Sequence, residues 1–141
     1  MSVRDDASRF NWLLNTFVEE SSGVTDAVAV SSDGLLMAKS ATLDEAGADQ
    51  VAAIISGFVS LGHGAVRCFA FNELNQIIVA MQGGYLFVSA MAEVGCLGVV
   101  ATPRCDIGNV GYQMAMLVDR CGEMLSPELV TELKAQVLVR V

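Results

Sequence analysis

With 141 residues, 53% hydrophobic and 17% charged, and a mean hydropathy of +0.52, this chain is long enough for one domain with a real core and unusually apolar for that size. Its net charge of −8, with eight scattered Lys and Arg, argues against nucleic acid, since phosphate binding needs clustered cations. The longest uncharged run, Leu74–Ala92, is interrupted by Asn75, Gln76, Gln82 and Gly83-Gly84 and reads as a hairpin; MSVRDDASRF lacks the apolar core of a signal peptide. The expectation is a cytoplasmic protein without membrane insertion that hides apolar surface in an oligomer.

Asp5–Glu20 reads as a helix, with Ala7, Phe10, Leu13, Leu14, Phe17 and Val18 on one face. Trp12 falls on the other face, beside Ser8, Asn15, Thr16 and Glu19. It either lies flat on a neighbouring loop or meets a partner. Val24–Ser31 is a strand with Val28 and Val30 on one face and Ala27 and Ala29 on the other, the pattern of a central strand covered on both sides. Ser32-Asp33-Gly34 turns the chain into Leu35–Ser40, which Lys39 and Ser40 assign to a sheet edge.

Thr42-Leu43-Asp44-Glu45 matches a capping box and opens a long helix ending near Val66, where Gly62 and Gly64 help it stop. Val51, Ile54, Ile55, Phe58, Leu61, Ala65 and Val66 form a bulky stripe that should pack on the sheet. The opposite side carries Ala53, Ser56, Gly57, Ser60 and Gly64, and no charge occurs between Val51 and Val66. A helical Gly costs about 1 kcal/mol relative to Ala, so its presence needs a reason. Small residues let a second helix backbone come close, and this face is read as a contact with another chain. The alternative is a helix buried on both sides within one domain.

Three strands follow: Asn75–Met81 and Tyr85–Met91 joined across Gln82-Gly83-Gly84, then Cys96–Thr102, stopped by Pro103. Asp106 caps a helix Ile107–Leu125, facing inward with Ile107, Val110, Gly111, Met114, Val118, Cys121 and Leu125. Ser126-Pro127-Glu128 starts a short last helix, with Leu129, Leu133 and Val137 along one edge. The order α-ββ-α-βββ-α-α calls for a five-stranded antiparallel sheet sandwiched by helices.

A search for chemistry returns little. His63 is the sole His and sits late in a helix, where a cation is a routine structural choice. Phosphate-loop and dinucleotide fingerprints are missing. Cys68, Cys96, Cys105 and Cys121 lack metal-ligand spacing and read as reduced, apolar-type thiols. No catalytic residue, cofactor or metal is expected. Of the arginines, Arg67, just past the long helix, is the candidate for direct contact with a partner's active site.

In order and in short motifs the chain resembles the Roadblock/dynein light-chain family, in particular its actinobacterial branch found in conservon operons. The resemblance runs from about Asn11 to Leu129 through VAVSSDGLLMAKS, ADQVAAIISGFVSLGHGAV, GGYLFVSAM and DIGNVGYQMAMLVDRCGEMLSP. Asn11-Trp12-Leu13-Leu14, Ser32-Asp33-Gly34-Leu35 and Ser56-Gly57-Phe58 carry it most specifically. It implies a single profilin/longin-like domain over 1–141, with a short C-terminal helix at about 127–138. It also implies a homodimer whose sheets join edge to edge while the long helices pack side by side. The implied function is non-enzymatic regulation or scaffolding of a small Ras-like GTPase, in an operon that also encodes a sensor histidine kinase-like protein. On this reading Ala53, Ser56, Gly57, Ser60 and Gly64 form the dimer or partner interface, with Trp12 at its margin. The family's acidic positions in the third strand and third helix are taken here by Ala80 and Gln113, a departure from the pattern. The competing expectation is a small-molecule sensor of PAS- or GAF-like type.

Overall fold

Both faces of the central strands are apolar, so the sheet must be covered on both sides. A computed structural model, describing residues 2–91 and 93–139, shows how. The described residues form helices α1 (Val3–Glu20), α2 (Glu45–Phe69), α3 (Ile107–Met124) and α4 (Pro127–Val139), with strands β1 (Val24–Ser31), β2 (Leu36–Lys39), β3 (Gln76–Met81), β4 (Gly84–Met91) and β5 (Gly95–Ala101). The strands make one antiparallel sheet in the order β2-β1-β5-β4-β3. This is the expected five-stranded α/β sandwich.

Alternation along β1 divides two cores. Ala27 and Ala29 join Phe87, Leu97 and Val99 beneath α1, α3 and α4. Val28 and Val30 join Leu86, Val88 and Cys96 beneath α2, with Val137 of α4 at the margin. Gly98 of β5 faces α2, and a Cβ there would run into Ile55 Cδ1. The missing side chain lets the helix rest directly on the central strand.

Local chemistry sets the helix ends. α1 starts at Val3 rather than Asp5, because Ser2 and Asp5 form a reciprocal capping box. α2 is capped by Asp44, whose carboxylate accepts the Gly47 N–H at 2.7 Å. The Thr42 hydroxyl instead pairs with Ser40 Oγ at 2.7 Å, so the expected Thr42 cap is corrected to Asp44. The helix also continues past Gly62 and Gly64 to Phe69, ending on Ala70 in the left-handed region at φ 54°. Gly62 is a packing glycine: a Cβ there would lie 2.7 Å from Leu74 Cδ2 and 3.2 Å from Ile77 Cδ1. On α3, Leu117 takes an inward place and Ile107 is exposed, since the buried row is Val110, Met114, Leu117 and Cys121.

The two sheet edges differ. β2 is four residues long and packs against α4. Leu129 and Leu133 of α4 enter the first core, Val137 packs against the second, and Lys134 Nζ lies 3.2 Å from Asp33 in the β1–β2 turn. α4 thus closes the β2 side. Among the described residues β3 pairs only with β4, which leaves its outer backbone edge open.

Candidate interaction surface

Among the described residues, β3 at the sheet edge leaves apolar side chains half exposed: Ile78 is 45% and Met81 54% exposed. α2 crosses from β1 and β2 toward β3, and Gly62 in its C-terminal half meets Ile77. Its inward row is Ala48, Ala52, Ile55, Val59, Gly62 and Val66, spaced by alternating steps of four and three. Its outward row holds Ala53, Ile54, Gly57, Ser60, Leu61, Ala65 and Cys68, with Leu61 73% exposed.

The expected division of α2 into a bulky inner and a small outer face is therefore corrected. Ile55 is buried and Val51, Phe58 and Val66 are partly covered, but Ile54, Leu61 and Ala65 of the bulky stripe face outward. Small residues serve both sides, because Ala48, Ala52 and Gly62 allow close contact with the sheet. Of the residues expected at an interface, Ala53, Gly57 and Ser60 are exposed, and nothing lies within 4 Å of where a Gly57 Cβ would stand. Gly64 is half-buried, near the Arg67 guanidinium. Ser56 is set aside from this row: its hydroxyl donates to the Ala52 carbonyl at 2.9 Å and lies close to Gly34 in the β1–β2 turn.

Trp12 is 62% exposed but sits on the opposite face of the sheet, in a cleft of about 480 Å³ between α1 and α3. It does not join the α2 residues. Arg67 is exposed in the last turn of α2, where a cation complements the helix dipole. His63 lies almost two turns before that end, so the dipole does not account for it. It borders an apolar cavity of about 310 Å³ formed with Val59, Leu74, Ile77, Val88 and Cys96. At the helix end, the exposed rings of Phe69, the last residue of α2, and Phe71 stack with centroids 5.6 Å apart, a contact the sequence reading missed. Their spacing at the end of an apolar helix was the available signal.

The chemical inventory stays small. Among the described residues no three His, Cys, Asp or Glu side chains come together to hold a metal. Burial pushes the Cys96 and Cys121 thiols up to about 11, which leaves them protonated and inert, while Cys68 is exposed. Asp33 is held below the usual carboxylate range by hydrogen bonds from Ser31 and Lys134, a turn-stabilising role. One described helix, Glu45–Phe69, has the length and apolar composition to cross a membrane; the run Leu74–Ala92, weighed for that role, contains the β3–β4 hairpin instead.

No curated protein matches the chain. The Roadblock/LC7 domain family matches residues 10–101. A Roadblock/LC7 domain structure from Streptomyces avermitilis is 36% identical, with a TM-score of 0.75, covering 82% of this chain and 98% of that one. Myxococcus xanthus MglB (14% identical, TM-score 0.76, 83% and 94% covered) and Schizosaccharomyces pombe profilin (16%, 0.59, 83% and 99%) share the fold. An uncovered α2 face beside an unpaired β3, within this order of elements and at this similarity, places the chain in the Roadblock/LC7 family.

Proposed function

We propose that this chain is a homodimeric, non-enzymatic regulator or scaffold of a small Ras-like GTPase, acting in the cytoplasm within a bacterial signalling operon. The observation that carries the proposal is the open β3 edge beside the uncovered apolar face of α2. An unpaired edge templates another strand. A twofold copy of β3 satisfies that edge antiparallel and brings two α2 helices together. Ala53, Gly57 and Gly64 then let the helix backbones approach, while Ile54 and Leu61 supply the buried apolar area.

The chain holds no phosphate loop and no metal cluster among its described residues, so its effect on a GTPase works through contact. Such active sites depend on positioned switch segments and an oriented water. A rigid paired surface that holds those segments changes turnover without adding a catalytic group. Arg67, exposed in the last turn of α2, is the arginine to test for direct contact with a bound GTPase, but the scaffold reading assigns it no essential role. A histidine kinase-like sensor completes the proposed set of partners.

The test is binding of the Ras-like GTPase encoded in the same operon, loaded with GDP or with a non-hydrolysable GTP analogue, followed by calorimetry. The proposal expects binding that differs between the two forms. Binding of neither form contradicts it. The cavity beneath α2 favours a second reading, a small-molecule sensor. Native mass spectrometry of the purified protein decides it, because a sensor should carry a bound mass and a GTPase scaffold should not.

A further inference from the structure

The cleft between α1 and α3 lies on the face of the sheet away from α2, so its use does not depend on dimerisation. Every other large apolar side chain of α1 from Phe10 to Val18 is buried, yet Trp12 stands 62% exposed. It is the sole tryptophan of the chain. Leu13, Phe17 and Leu117 form the apolar floor. Trp12, Thr16 and Glu20 form one wall; at four-residue spacing they share one helix face, a ridge about 12 Å long. Met116 and Arg120 stand on the α3 side.

The charge at the end of the α1 wall is out of balance. Glu19 and Glu20 occupy its last turn, which holds no basic residue of its own. The helix C-terminus is already negative, so these carboxylates sit where a cation is favoured. Neither takes part in an ion pair among the described residues. The Trp12 ring adds a face that attracts cations. An incoming Arg or Lys would relieve the carboxylate repulsion and meet the dipole, while an apolar anchor would cover Trp12 and the floor. Arg120 on the opposite wall keeps the required cation on the α1 side. The same acidic wall repels nucleic acid and anionic lipid.

We infer that the α1–α3 cleft docks a short segment of a partner protein, carrying a large apolar anchor with an Arg or Lys close beside it. Exposed tryptophans bordering a pocket are the side chains that dominate such contacts.

Trp12 itself reports the test. The probe is a capped, helix-forming Ala peptide of about twelve residues with two Leu four apart and three Arg; its twin carries Glu in place of each Arg. The basic peptide should shift Trp12 emission to shorter wavelength and saturate, and the acidic twin should not. Glu20→Lys should weaken the basic peptide at least about tenfold without lowering the thermal melt, and Leu61→Asp on α2 should leave binding intact. Equal response to both peptides, no saturable shift, an unaffected Glu20→Lys variant, or loss of binding with Leu61→Asp would each overturn the assignment.

Discussion

Replacing Gly57 with Leu separates the fold from the assembly. Nothing lies within 4 Å of a Cβ built at Gly57, so the new side chain projects into open space in the single protomer. Removing a helical glycine returns up to about 1 kcal/mol, and the isolated protomer should become slightly more stable. In the proposed dimer the same position lies where two helix backbones approach. Overpacking a close contact costs about 1–3 kcal/mol, and twofold symmetry introduces the side chain twice. The dissociation constant should therefore rise by about tenfold or more. A dilution series in analytical ultracentrifugation reads the dissociation constant, and urea unfolding of dilute protein by circular dichroism reads the protomer. Gly62→Leu is the control: its Cβ would lie 2.7 Å from Leu74 Cδ2, so it should weaken the fold itself. The reasoning fails if Gly57→Leu lowers protomer stability, or if it leaves the dissociation constant unchanged.

Leu61→Asp, at a position 73% exposed, should leave protomer stability within about 0.5 kcal/mol and abolish self-association in the same dilution series. Gly98→Val should destabilise by about 1–3 kcal/mol in urea unfolding, because its side chain meets buried Ile55. Ile55→Ala should make that second change less damaging than additivity predicts. Burial holds the Cys96 and Cys121 thiols near 11 against an ordinary 9.0. Their thiolates are thus favoured by unfolding: stability should be intact below about pH 9 and fall toward pH 11 by up to about 2–3 kcal/mol per thiol. In a Cys96→Ala/Cys121→Ala double variant that pH slope should flatten, and at pH 8 a thiol reagent should reach Cys68 well before either buried thiol. Arg67→Ala should leave GTPase binding and turnover nearly unchanged if the chain acts as a scaffold; lost turnover at normal affinity would identify a catalytic arginine instead.

Alternation of valine and alanine in β1, the Asp33-Gly34 turn and the capped starts of α3 and α4 are local signals, and they placed the elements within a few residues. Long-range pairing was not local. β1 lies between β2 and β5, its partners from Val24↔Ala101 to Ser31↔Gly95, and no short window of sequence encodes that register. The faces of α2 were only half legible. A small residue can face its own sheet, as Gly62 does, or open space, as Gly57 does, and only the packing tells them apart. Asp44 won the helix cap over Thr42 because Ser40 engages the threonine hydroxyl. Trp12 stood out as an aromatic on a polar face, but the cleft around it depends on how α3 lies beside α1.

On the proposed function, a second copy of this chain covers the exposed α2 face and the β3 edge. Light scattering coupled to gel filtration at micromolar concentration tests it most directly. The expected mass is about twice 14.9 kDa, falling to the single-chain value in Leu61→Asp. A wild-type protein that runs as a clean monomer would contradict it.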